Sequence, residues 1–551
     1  MRVLGINAIF HDPSAALVID GRIVAAAEEE RFNRRKHGKP NVAFSAWELP
    51  ELAARWCLKY AGLRAQDLDA VAYSFDPALC PPGQLAMADD PWDSIRVDYA
   101  RRAPSFLATA LPGLDEDRVR FVRHHEAHAA SAALAGPYPD SACLVLDGRG
   151  ERTSHLAGEY AAGRLTALAG QALPSSLGLL YEGLTEHLGF HRSSDEYKVM
   201  ALASYGQPRH LADFVELVHT TDDGGFVTQK VDWSAYAPRG DGENLTDAHA
   251  DLAATVQRRL EQVLLELARW LHDRTGARHL TMAGGTALNC VANAVIRRDG
   301  PYDDLWVQPA AGDAGTSLGA ALAVAVPHDR VEEPMGSAAL GRGFTDDEIE
   351  AELRRARVPF ERPADLAAEV AAELAEHRVV AWFQGRSEFG PRALGQRSLL
   401  AHPGRRQMLE LLNDIKGREQ FRPVAPLVRL ERAAEIFDGQ IPSPYMLFVH
   451  QVRPAWRDRI AAVVHVDGTA RVQTVDAAEQ PLLARLLAEF DRRTGVPVLV
   501  NTSLNTAGRP MVDTPHDALE LFGSAPIDLL AIGPFVLRRP QPVDASRGAQ
   551  P

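Results

Sequence analysis

Short apolar runs, alternating or continuous and each closed by a turn signal, recur along the first 326 residues. The pattern predicts strands over Val3–Ala8, Ala15–Ile19 and Ile23–Ala27, with Asp20–Gly21 as a tight hairpin between the last two. Further strands are predicted over Val119–Val122, Ala142–Leu146, Thr153–Glu159, His279–Ala283 and Leu305–Val307. Helical spacing is expected over Glu126–Leu134, Ser194–Ala203, Ala248–Thr275 and Ser317–Val326. Strands and helices in alternation give an α/β class with mixed sheets. The strings LVIDGR (Leu17–Arg22) and LVLDGR (Leu144–Arg149) hint at duplicated halves, each with a hairpin facing a shared cleft. Pro327–Gly343 is richer in Pro, Gly and charge, and the domain boundary is expected there. Beyond it, Thr345–Arg357 reads as a helix, and Val379–Phe383 and Val498–Val500 read as strands.

A chain of 551 residues exceeds one ordinary domain, so two or three units are expected. The formal net charge of −14 argues against a general binder of nucleic acid or membrane surfaces. Cys57, Cys80, Cys143 and Cys290 are scattered, which points to a reducing compartment rather than a disulfide framework. No signal peptide and no window of about eighteen apolar residues is present, so a cytoplasmic protein is expected. The charged run Glu28–Arg31, with Arg34, Arg35, Lys36 and His37 after it, reads as a solvated loop.

The stretch from Val119 to Glu151 carries the first chemistry. His124 and His128 are four apart and share one helix face if the helix begins near His124. That spacing suits two imidazoles on one metal ion, although surface or capping histidines fit a bare HxxxH as well. Asp147 leaves a strand at a turn, and Asp313 sits in a small-residue loop before a helix. Together the four would make a mixed N/O site suited to Fe(II), Mn(II) or Zn(II). Phe10–Ser14 is a short polar turn between two core strands whose backbone N–H groups are free to cradle an anion; Asp12 and Ser14 equally fit plain turn formers, and His11 is a candidate catalytic group. The strand, glycine pair and helix around Gly284–Asn289 is a layout that brings backbone close to a phosphate. From Arg386 to Arg422 there are eight Lys and Arg. The chain average would give about four, so basic charge concentrates locally in an acidic protein. Arginine forks grip phosphate bidentately, so a small anionic substrate is the favoured partner.

Ten stretches in order, among them FHDPSAALVIDGRI, HHEAHAASA, EYKVMALASYG, AGGTALNC, GDAGTSLGAA, EFGPRALGQRSLL, NDIKGREQFRPVAP and VNTSLN, resemble the O-carbamoyltransferases of antibiotic and nodulation-factor biosynthesis. The resemblance covers nearly the whole chain. It implies an N-terminal duplicated actin-like ATPase domain (Kae-type) over residues 1–340 and a YrdC-like α/β domain over 345–545. It further implies that ATP, with Mg, and carbamoyl phosphate give carbamoyl adenylate in the C-terminal domain. The N-terminal domain would then transfer the carbamoyl group to a hydroxyl of a secondary metabolite such as a sugar, aminoglycoside or polyketide. By resemblance His124, His128, Asp147 and Asp313 hold Fe(II) or another divalent metal, and His125 does not. Arg392, Lys416, Arg422, Arg471 and Ser503 bind carbamoyl phosphate or its adenylate, with Lys416 and Arg392 also catalytic. His11 as general base and Lys36 serve the transfer, while Gly148, Gly284, Gly285 and Asn289 approach the nucleotide. A homodimer is compatible with the family. Tyr197 departs from the pattern, which has glycine at that position.

Three other readings compete. Carbamoyl transfer to a protein thiol, as in hydrogenase maturation, would call for an acylphosphatase-like module and CxxC zinc fingers, which this chain lacks. A non-catalytic nucleotide-binding scaffold would show no turnover, whereas an actin-like sugar kinase leaves the C-terminal basic cluster without a role.

Overall fold

The computed structural model describes residues 1–39, 47–81, 92–326 and 333–539. Strands β1 (Arg2–Asn7), β2 (Ser14–Ile19) and β3 (Arg22–Glu28) form an antiparallel meander. Beside β1, β4 (Ala70–Tyr73) and β5 (Val119–Phe121) add in parallel, giving the order β3-β2-β1-β4-β5. The second sheet repeats this plan. β6 (Ser141–Leu146), β7 (Thr153–Ala161) and β8 (Arg164–Ala172) are its meander, and a small ribbon of β9 (Val218–Thr220) and β10 (Phe226–Thr228) lies outside it. β11 (His279–Ala283) and β12 (Asp304–Val307) then add in parallel, giving β8-β7-β6-β11-β12.

The halves are therefore duplicated, but not where the repeated string placed the duplication. LVIDGR runs from β2 into β3, whereas LVLDGR ends the first strand of its half. The true counterpart of Asp20–Gly21 is Ala162–Gly163, between β7 and β8. The φ angles are 50° and 76° in one turn and 49° and 74° in the other. Strand order and turn geometry repeat; the letters do not.

Alternation along β1 explains how the first sheet is covered. Leu4 and Ile6 face a core with Ala53, Cys57 and Leu107, while Val3 on the other face meets Leu318 and Ala321. That second face packs on helices His124–Ala133 and Ala314–Ala325, which run between the two sheets. The two helices touch so closely that a Cβ on Gly319 would lie 1.7 Å from the Ala127 carbonyl oxygen. The long helix Asp247–Thr275 covers the far face of the second sheet.

After the boundary, a mixed seven-stranded sheet has its own apolar core from Ile349 to Leu537. Its strands are β13 (Val380–Phe383), β14 (Arg397–Ala401), β15 (Ala425–Arg429), β18 (Gln473–Val475), β19 (Val498–Ser503), β20 (Leu529–Ile532) and β21 (Phe535–Arg538). The order is β18-β15-β19-β14-β13-β20-β21, and β16 (His450–Gln451) and β17 (Thr469–Ala470) form a separate pair. Helix Asp346–Arg355 starts with Thr345 accepting from the Glu348 N–H. Of the expected boundary segment, residues 327–332 lie outside the described residues, as do 540–545 of the expected second domain.

The run Glu28–Arg31 corrects the expectation of a solvated loop, because all four side chains are buried. Three of the four find a partner that only the tertiary fold supplies, and Glu30 is met by Arg31, Lys36 and the His37 N–H. Glu28 accepts from the Gly390 N–H at 2.7 Å, and Glu29 accepts from Leu52 and Ala53 N–H at the start of helix Glu51–Tyr60. Arg31 lies 3.2 Å from Glu30 and donates to the Gly390 carbonyl at 2.9 Å. This run is the seam between the N- and C-terminal parts. Among the described residues no helix is long and apolar enough to cross a membrane.

Candidate active site

The carboxyl ends of parallel strands from both sheets converge on one place, the usual location of a ligand crevice in such sheets. β5 runs into His124, which opens helix His124–Ala133, so His128 lies one turn on along the same face. β6 delivers Asp147, and the loop after β12 delivers Asp313 as N-cap of helix Ala314–Ala325. Nε2 of His124 is 3.4 Å from Asp147 and 3.5 Å from Asp313, and Nε2 of His128 is 3.8 and 3.5 Å from the same carboxylates. All four side chains are buried, and one ligand atom from each lies within 4.8 Å of the others.

The outward hydrogen bonds aim this set inward. His124 Nδ1 donates to the Ser74 carbonyl at 3.1 Å, which leaves Nε2 as the lone-pair nitrogen. One oxygen of Asp147 accepts from the Gly285 N–H, and one of Asp313 accepts from the His11 N–H, both at 3.0 Å. The Nε2 atoms of His124 and His128 have no hydrogen-bond partner although buried, a costly state for polar atoms unless something else binds them. The residues therefore fit a divalent cation with two nitrogen and two oxygen donors. Burial opposes charge on His124, but the two carboxylates outweigh it and hold its pKa well above the ordinary imidazole value. His125 turns away, with Nδ1 2.8 Å from Thr153 Oγ1 and Nε2 4.0 Å from Asp147.

The glycine pair supports the same centre. Gly284 has φ +93°, and a Cβ there would lie 2.2 Å from the Leu146 carbonyl oxygen. Gly148 packs against Gly178, and its carbonyl accepts from Ser176 Oγ. Asn289 caps helix Cys290–Asp299, accepting from the Ala292 N–H at 3.1 Å and donating to Gln257 at 2.8 Å. Its side chain thus already has local partners.

Across the seam the basic residues gather. Lys416 is buried and donates to the carbonyl of Ser503 and to Asn505, whose Oδ1 is 2.7 Å away. Ser503 Oγ donates to the same Oδ1 at 2.7 Å. Burial, then the nearby Arg418, Arg422 and Lys36, push the Lys416 pKa well below the usual lysine value. Arg392 donates to the Leu288 carbonyl at 2.7 Å, which ties the C-terminal part to the loop after β11. Burial, then Arg471, bring Arg392 down to about 9. The Nε atoms of Arg392 and Arg471 are buried without a partner. Arg422 lies over the Tyr197 ring at 4.5 Å, so the position that departs from the glycine pattern serves as a stacking platform. Lys36 is 3.5 Å from Glu30 and contributes to the field at Lys416. A set of cations that mainly repel one another is arranged to receive an anion.

Sequence reading counted Arg418 in the basic run without assigning it a role, and missed two further features. Arg418 is buried in the cluster, its pKa brought down to about 9 by burial and by Arg422 and Arg471. Asp12 accepts from two imidazoles, His11 at 2.8 Å and His37 at 2.9 Å. His37 in turn lies 2.8 Å from Ser194 Oγ. No spacing signal links residues 12, 37 and 194; the string of chemistry-bearing residue types after Phe10 was the available hint.

Residues 2–78 and 98–322 match the carbamoyltransferase N-terminus, and residues 371–539 match the carbamoyltransferase C-terminus. The chain belongs to the carbamoyltransferase family. Among similar proteins, nodulation protein NolNO of Sinorhizobium fredii is 37% identical, over 98% of this carbamoyltransferase and 81% of that protein. Nodulation protein U of Rhizobium tropici is 31% identical, over 92% of each chain. Among solved structures, T.kodakarensis HypF aligns with 61% of the carbamoyltransferase and 49% of its own chain, at 14% identity and a TM-score of 0.40. That score is too low to argue from, and the fold rests on the strand orders given above.

Proposed function

We propose that this carbamoyltransferase uses ATP, carbamoyl phosphate and one water to make carbamoyl adenylate, with pyrophosphate and inorganic phosphate as the leaving products, and transfers the carbamoyl group to a hydroxyl of a small secondary metabolite. The observation that carries the reading is the pairing of two unlike sites across one seam. A buried centre of two imidazoles and two carboxylates is matched by a buried group of cations in the C-terminal part, and Lys36 acts electrostatically on both Asp12 and Lys416. Arg392, Arg418, Arg422, Arg471 and Lys416 neutralise the phosphates of ATP and of carbamoyl phosphate while the mixed anhydride forms. Such an anhydride is a far better carbamoyl donor to an alcohol than carbamoyl phosphate itself.

His124, His128, Asp147 and Asp313 would hold Fe(II) or another divalent ion, which supplies Lewis-acid polarisation of oxygen when bound. His11, anchored through Asp12, takes the proton of the acceptor hydroxyl at its Nε2. The buried walls around both sites keep water from the adenylate.

The test separates the half-reactions. Wild-type protein should release pyrophosphate from ATP only when carbamoyl phosphate is present. Lys416→Ala should stop that release, whereas His124→Ala should preserve it and abolish transfer to a hydroxyl acceptor. Loss of both half-reactions in both variants would contradict the two-site reading.

A further inference from the structure

The group Ser194–His37–Asp12 has the geometry of an activated nucleophile. Ser194 Oγ is 2.8 Å from His37 Nε2, and His37 Nδ1 is 2.9 Å from Asp12 Oδ1. A nucleophile touching a base, and the base held by a carboxylate, is the arrangement that makes a serine hydroxyl reactive on many unrelated folds. Asp12, His37 and Ser193, next to Ser194, all have positive φ, at 43°, 60° and 58°. Such backbone is retained where the surroundings enforce a particular side-chain placement. Although His11, Asp12 and His37 could in principle share a metal ion, each Nδ1 faces a different oxygen of Asp12 at hydrogen-bond length.

The protonation states suit the same role. Burial, then His11, hold His37 below the ordinary imidazole value, so it is neutral and able to accept a proton. Burial opposes ionisation of Asp12, but the two imidazoles outweigh it and keep the carboxylate charged. His37 also has Lys36 nearby, and His11 has Lys39 and Asp313.

Position decides what would react. Ser194 stands two residues before helix Glu196–Ala203, whose Tyr197 lies under Arg422 and whose Lys198 is 2.8 Å from Glu419. On the other side, the His37 ring is 4.2 Å from that of His11, whose backbone N–H donates to Asp313. The hydroxyl is therefore between the cation cluster and the four-ligand centre.

We infer that Ser194 is a carbamoylation site: with no acceptor in the cleft, its hydroxyl takes the carbamoyl group from the adenylate. This rests on the adenylate reading above. Oγ attacks the carbamoyl carbon and the Oγ–C bond forms. The bond from that carbon to the phosphate oxygen breaks, AMP leaves, and the Oγ proton passes to His37 Nε2 and then to solvent. The product is a serine carbamate, which lacks the activation of the adenylate. It occupies the base and stops the enzyme from consuming ATP without an acceptor.

The experiment incubates the full-length protein with ferrous iron, Mg, ATP and carbamoyl phosphate, without acceptor, and maps the modification by mass spectrometry. Pyrophosphate is measured in the same tube. The expected result is one carbamoyl group on Ser194, dependent on ATP, absent from Ser194→Ala, and formed on the order of 10²-fold more slowly in His37→Gln. The dependence on ATP matters because carbamoyl phosphate decays to cyanate, which modifies lysines with or without nucleotide. Pyrophosphate release with an unmodified Ser194 would overturn the proposal and leave the adenylate reading standing, as would equal rates in His37→Gln and wild type. Absence of pyrophosphate release would remove the adenylate reading, and this proposal with it.

Discussion

At His124 a proton and the proposed cation would compete for the same lone pair. The two carboxylates that would complete a metal site raise the affinity of Nε2 for a proton when no metal is bound. Metal binding must therefore release a proton, and apparent affinity should climb with pH until the raised pKa is passed, by about tenfold per unit. The stability of the metal-free protein runs the other way. Because the folded pKa lies above the unfolded value of 6.5, this contribution is complete below that value and fades as pH rises through the folded one. Chelator-competition titrations at several pH values, with thermal midpoints of the metal-free protein alongside, would check both slopes; a pH-independent affinity would refute the assignment. His124 and His128 were legible because four-residue spacing on a helix leaves little freedom in where two rings point. Asp147 and Asp313 were legible less directly, as single carboxylates at strand ends. The Asp12–His37–Ser194 group was not, because its members are joined only by chain folding.

Among the elements, the short helix Glu30–Asn33 and the strand end before it show where charge misleads. Four consecutive charged residues look solvated in any window of sequence, yet here they plug the seam. Arg31 is the keystone. It faces Glu28 and Glu30 and reaches Gly390 across the boundary, while burial has already pushed Glu28 up to about 7. Replacing Arg31 by Ala leaves buried Glu28 without a cation and Glu30 with Lys36 alone, and should cost about 3–5 kcal/mol. Arg354→Ala, which removes an exposed pair with Glu350, should stay within about 0.5 kcal/mol. Denaturant midpoints of the two variants measure the contrast, and equal small shifts would mean the seam is not held by this residue. The strands themselves were read well because period-two alternation and an Asp-Gly turn survive in the folded protein. The register of the duplication was not, since a hairpin string recurs by chance more readily than a strand order does.

For the whole molecule, the proposed two-site reaction raises a question of coupling: how would a labile intermediate made on one side of the seam be used on the other? The segment from Arg34 to Gly38 is fastened at both ends. Arg34 donates to the Met511 carbonyl at 2.7 Å and the Pro510 carbonyl at 3.2 Å, and lies 3.4 Å from Asp517, all in the C-terminal part. His37 is bonded to Asp12 and Ser194 in the N-terminal part, and Lys36 between them contributes to the field at Lys416. One short segment thus sets the distance between the cation cluster and the base. Arg34→Ala cuts the C-terminal fastening without touching either group of reacting side chains. Adenylate formation, read as carbamoyl phosphate-dependent pyrophosphate release, should persist. Transfer to a hydroxyl should fall on the order of 10²-fold, the scale expected when reacting groups are displaced by about an ångström. The lost product should reappear as excess AMP from hydrolysed adenylate, and Arg34→Lys, which restores one donor, should recover part of the yield. If pyrophosphate release and transfer instead fall together, the segment is a shared structural support and the coupling lies elsewhere in the seam.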